Sequence, residues 1–200
     1  MEQKCRRGGA DIKKFRKTER AIDMITNIKS DDNLYKLTGK TYWPLFGCEV
    51  KVRWGESADV SIEYAEKCVS QLLNLDKSTV EQLLEASIRF FYDEERCNGE
   101  PLTFMFEFED MEYPKELDVS MNILPYIMPV EMYIDKEIAG CYSISVFSEC
   151  AWEPEHGLQW VVRNGKPLYV GQCDGLGSHC DESIYLENWK ESNYLFNNLM

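Results

Sequence analysis

The stretch Cys141–Gly171, "CYSISVFSECAWEPEHGLQWVVRNGKPLYVG", decides how this chain is read. Tyr142, Ile144, Val146, Ser148, Cys150 and Trp152 fall on every second position, the period of a strand with one inward face. Leu158, Trp160 and Val162 repeat the pattern. Asn164-Gly165 then supplies the two left-handed residues that a tight hairpin needs, and Lys166 to Val170 returns as a third strand. Between the first two strands lies "EPEHG". Pro154 and Gly157 are bend formers, and Glu153 and Glu155 flank His156, one of two histidines in the chain.

That cluster has two readings. A carboxylate can orient an imidazole, and an imidazole titrating near neutrality is the usual general base. Catalysis also needs a nucleophile or a metal, and the neighbouring residues are core types. The plainer reading, in which His156 braces the turn against a carbonyl or Glu153, is preferred over catalysis by Glu153, Glu155 and His156. Metal binding would have to collect Cys150, His156, Cys173, His179 and Cys180, whose spacings lack the paired knuckles of structural zinc. No metal and no cofactor is expected. Gly171, Gly175 and Gly177 match no phosphate-loop spacing, and Asp174 beside them would repel phosphate.

Upstream, "LYKLTGKTYWPLFGCEVKVRWGESADVSIEY" reads as a β meander. Turn signals stand at Thr38-Gly39-Lys40 and Trp54-Gly55-Glu56, and Cys48, Val50, Val52 and Trp54 alternate with Glu49, Lys51 and Arg53. Ile62, Ala65, Val69, Leu72 and Leu73 trace one helix. Val80, Leu83, Leu84, Ser87, Ile88 and Phe91 trace a second, behind a capping-box pattern at Ser78–Glu81. Asp118 to Leu124 suggests a short helix ended by Pro125, with a strand opening at Val130, Met132 and Ile134. Residues 187–200 suggest a final short helix. The predicted architecture is α+β: a single domain over residues 31–200, with an antiparallel sheet of meander and hairpins packed on a helix pair. Residues 1–30 are expected to be a basic tail followed by an N-terminal helix on which Ile12, Phe15, Ile22, Ile25 and Ile28 form one stripe.

Charge is segregated. Residues 1–20 carry eight basic and three acidic side chains, whereas the other 180 carry 14 basic and 32 acidic, a net −18. Such a body repels phosphate backbones, so nucleic acid is not an expected partner, and a basic protein is. Residues 93–118 concentrate the acid. Within them "LTFMFEFED" alternates rings with polar residues, so the segment is either a solvated acidic face or a binding surface. If it binds, Phe104, Phe106, Glu107, Phe108, Glu109, Asp110 and Glu112 are the contact residues. The opening residues show no signal-like apolar run, and no 18-residue apolar stretch occurs. A cytoplasmic protein with reduced thiols at its eight cysteines is therefore expected, with no membrane partner.

The corner Cys150–Leu158, the following strand, Asn164-Gly165 and Tyr169-Val170-Gly171 together resemble a family of uncharacterised bacterial domains. Those share a W-[DE]-x-E-H-G corner, then a hairpin and a closing Val-Gly; the layout of residues 35–175 is similar. Pro154 between the acids departs from that pattern and stiffens the turn. The resemblance implies a domain without an assigned reaction. Similar small acidic cytosolic proteins serve as immunity partners of toxins, which implies protein binding. The leading expectation is thus a non-enzymatic binder, in its sharpest form an immunity protein that neutralises a basic toxin domain. The alternative is a hydrolase or metal-dependent enzyme built on Glu153, Glu155 and His156. Oligomeric state stays open.

Overall fold

The computed structural model describes residues 24–31, 36–55, 60–98 and 122–196. Their centre is a seven-stranded sheet whose spatial order follows the chain: β1 (Thr26–Asp31), β2 (Lys36–Trp43), β3 (Cys48–Trp54), β4 (Ile127–Ile134), β5 (Ser143–Cys150), β6 (Leu158–Arg163) and β7 (Lys166–Gln172). Every neighbouring pair is antiparallel except β3 and β4, which run parallel through Lys51–Glu131 to Trp54–Ile134. This junction departs from the all-antiparallel expectation. Parallel neighbours cannot be joined by a hairpin, and the connection here contains both helices, α1 (Ile62–Leu73) and α2 (Lys77–Asn98).

Both helices cover one face of the sheet. Ala65, Val69 and Leu72 of α1 and Leu83, Ala86 and Phe90 of α2 share one core with Val52, Met132, Val146, Trp160 and Val162. Full burial of side chains of this size stabilises by about 1.5–3 kcal/mol each before conformational entropy is counted. The indole of Trp160 reaches α2, where its Nε1 donates to Ser87 Oγ at 3.0 Å and Ser87 donates onward to the Leu83 carbonyl. Helix α1 begins at Ser61, whose Oγ accepts from the Tyr64 amide. Asp76 caps α2 by accepting from the Thr79 amide at 2.9 Å. The cap therefore stands two residues before the Ser78 expected from the box pattern.

The other face is covered in part by the chain after β7. Segment 173–181 lies across β5 and β6 with its carbonyls bound. Gln159 Nε2 donates to the Leu176 carbonyl at 2.7 Å, Ser143 Oγ to that of Ser178, and Arg163 Nη2 to those of Ser178 and Cys180. Val161, Leu168 and Tyr169 pack there against Leu176 and Tyr185. This strap buries β6 on both faces, whereas its sequence alternation suggested only one. A π-helical turn at Ile184–Asn188 stands at the start of the final helix expected over 187–200, and residues 189–196 after it form turns rather than a helix.

Three local expectations change. Residues 26–31 form β1 rather than the end of a helix, because they pair with β2 and bury Ile25. Gly39 lies inside β2, not in a turn. A Cβ there would stand 2.4 Å from Ile25 Cγ2, so the glycine admits that side chain. The β2–β3 turn is instead Pro44–Gly47. Finally, of the helix expected over Asp118–Leu124, residues 118–121 lie outside the described residues, and Pro125, expected to end it, sits instead inside the 3₁₀ turn Leu124–Tyr126. The Asn164-Gly165 hairpin forms as read, with φ of 50° and 74°. Among the described residues no helix is long and apolar enough to cross a membrane.

Candidate functional site

Glu153 organises the corner between β5 and β6. Its Oε1 accepts from the amides of Glu155 and His156, each at 3.1 Å, and lies 3.2 Å from His156 Nδ1. Its backbone carbonyl accepts from Gly157 N at 2.9 Å, which closes the turn. A carboxylate that satisfies consecutive amides in this way acts like a helix cap. Gly157 has φ +72°, and a Cβ on it would come within 2.5 Å of the Ser148 carbonyl oxygen. Trp152, just before the corner, packs edge-on against Phe90 and Phe91 of α2. The bend is thus anchored from inside by an indole and from outside by a carboxylate.

The outer side of the corner borders a cleft of about 400 Å³. Val130 and Phe147 supply apolar lining; Glu149, Glu153, Pro154, Glu155, His156 and Cys173 are among the other residues around it. Val130 reaches this position because β4 bulges between Pro129 and Glu131, at its pairing with β5. Two further carboxylates lie close enough to feel the cluster. Glu94 is pushed up by partial burial and then by the charges of Glu153 and Asp93, while His156 opposes this. Asp174 is pushed up by partial burial, again with His156 opposing. The imidazole is 46% exposed against 14% for Glu153, so the ring can meet a ligand while the carboxylate holds the turn. Burial pushes the Cys150 thiol up to about 12 and raises that of Cys173, which disfavours the thiolate form of both.

The other candidates divide between places. Cys150, His156 and Cys173 line the cleft, whereas His179 lies with Cys141 and Asp135 beyond the far end of β4. Among the described residues no three His, Cys, Asp or Glu side chains are arranged to hold a metal ion, and the six described cysteines are free thiols. Phe104, Phe106, Glu107, Phe108, Glu109, Asp110 and Glu112 lie outside the described residues. Sequence reading did not place Val130, Phe147 or Glu149 beside the corner, since only strand pairing brings them there.

A family model for a domain of unknown function, DUF6985, matches residues 24–177. The chain belongs to the DUF6985 family. No curated protein and no solved structure matches it. The DUF6985 span takes in all seven strands, both helices and the Trp152–Gly157 corner. It ends at Gly177, two residues before His179.

Proposed function

We propose that this protein is a non-enzymatic binder of a basic protein, and that the cleft beside the corner receives a lysine or arginine side chain of that partner. The observation that carries this reading is the pairing of apolar lining, Val130 and Phe147, with Glu149, Glu153 and Glu155 in a body of strongly negative charge. Long cationic side chains have the same two parts, an apolar stem and a charged head. Complementary charge steers encounter, and a buried contact supplies the anchor. A toxin domain is one partner of this kind, with the protein as its cytoplasmic immunity factor. Phe104, Phe106, Glu107, Phe108, Glu109, Asp110 and Glu112 would be further contact residues for the same partner.

Chemistry at Glu153, Glu155 and His156 fits the geometry less well. Glu153 Oε1 is already engaged by two amides and the ring, and the Glu155 side chain has no described role in orienting His156.

Fluorescence anisotropy with a labelled arginine-rich peptide tests the proposal, with a charge-reversed peptide as control. Binding should weaken steeply with added salt and fall several-fold in the exposed pair E149Q/E155Q. Equal binding of both peptides, or none of the basic one at low salt, refutes it.

A further inference from the structure

Beyond the end of β4 opposite the corner, three chemistry-bearing side chains converge from separate segments. Asp135 directly follows β4, Cys141 closes the turn before β5, and His179 comes from the strap. His179 Nδ1 stands 3.9 Å from Cys141 Sγ, and Nε2 stands 3.5 Å from Asp135 Oδ1, the latter two atoms both buried and within charge range but not hydrogen-bonded. The imidazole is 2% exposed, Asp135 24%, and Cys141 is half-buried. Nothing lies within 4 Å of a Cβ built on Gly140, so the turn beside the thiol faces open space.

The backbone around each member is held. The Cys141 amide donates to Ile138 at 3.0 Å, and its carbonyl accepts from the Tyr64 hydroxyl. The residues flanking His179 have their carbonyls bound by Arg163, and Ser178 is also bound by Ser143. Such fixing is what a preorganised reactive group requires. Burial lowers the His179 pKa; Asp135 opposes the shift and Arg163 reinforces it, while Lys136 contributes in both senses. The shift favours the neutral ring. With its proton on Nε2, toward Asp135, the Nδ1 lone pair faces the thiol.

We propose that Cys141 is a nucleophilic thiol, with His179 as its base and Asp135 as the residue that orients the ring, and that it reacts with small acyl or alkyl electrophiles. In the acyl case the Sγ proton moves to His179 Nδ1 while sulfur bonds the carbonyl carbon of an activated ester. The carbon–oxygen bond to the leaving alcohol breaks with its electron pair, and that oxygen takes up a proton. The product is a Cys141 thioester. This site is separate from the cleft, so its fate does not depend on the binding proposal.

Cys180, the neighbour of His179, is the internal control. The native full-length chain is treated with limiting iodoacetamide, and alkylation of each cysteine peptide is followed by mass spectrometry. Cys141 should react about tenfold faster than Cys180, and urea should erase the difference. H179Q should remove the excess rate. D135N should reduce it about threefold or more and move the half-maximal pH for Cys141 alkylation upward, because the imidazolium loses its counter-charge. D135N carries the test if the buried H179Q fails to fold. p-Nitrophenyl acetate should acetylate Cys141 in the wild type. A native Cys141 rate no greater than that of Cys180, or an unchanged rate and pH profile in folded D135N, overturns the proposal.

Discussion

Replacing Gly157 by alanine tests whether the corner is a fixed structural brace. Two costs add at this position. A side chain at φ +72° enters the left-handed region at about 1–2 kcal/mol. The new Cβ also meets the Ser148 carbonyl oxygen at 2.5 Å, a backbone atom of β5 that cannot rotate away. Forced repacking of this kind costs about 1–3 kcal/mol. Alanine's smaller unfolded-state entropy returns about 0.4–1 kcal/mol. Gly175 is the control, because its φ is +69° and nothing lies within 4 Å of its Cβ. G175A should therefore show strain alone, while G157A should lose a further 1–3 kcal/mol or so, lowering Tm by about 2–12 °C more than the control. Calorimetry on wild type and both variants measures the difference. If G157A is no less stable than G175A, the corner is not held against β5 as described.

Other variants probe the same frame. E153A removes the acceptor for two amides and should cost about 1–2 kcal/mol in chemical denaturation, whereas H156Q, at a half-exposed ring, should cost less than half of that. S87A leaves the Trp160 indole N–H buried without its partner and should cost about 1–3 kcal/mol, read by the same method. Hydrogen bonds from Ser78 and Thr79 hold the Asp76 carboxyl down to about 2, below its usual 3.8. Because the folded value is the lower one, this contribution is complete above pH 4 or so and fades as pH falls toward 2. D76N should flatten that part of the stability profile, as thermal melts across the acid range will show.

The hairpin region was legible because both of its signals are local. Period-two alternation and Asn164-Gly165 specify strands and turn without help from the rest of the chain. β1 was misread because Ile22, Ile25 and Ile28 fit helical spacing, and so short an apolar pattern does not separate helix from strand. Its pairing with β2 and the contact of Ile25 at Gly39 decide the matter, and both are tertiary. The parallel β3–β4 junction left no trace because alternation looks the same in either orientation. The strap was invisible for a related reason: Ser143, Gln159 and Arg163 bind backbone carbonyls, which carry no residue-specific pattern. Pro154 and Gly157 announced the bend itself. The cleft beside it needed Val130 and Phe147 from paired strands, and the Cys141–His179 contact joins residues 38 positions apart.

With two histidines in the chain, imidazole NMR gives one reporter at the cleft and one far from it. Titrating the full-length protein with an arginine-rich peptide should move the His156 ring signals in a saturable, salt-sensitive manner and leave those of His179 in place. Unmoved His156 signals at saturating peptide, or a response confined to His179, would contradict a cationic group bound beside the corner.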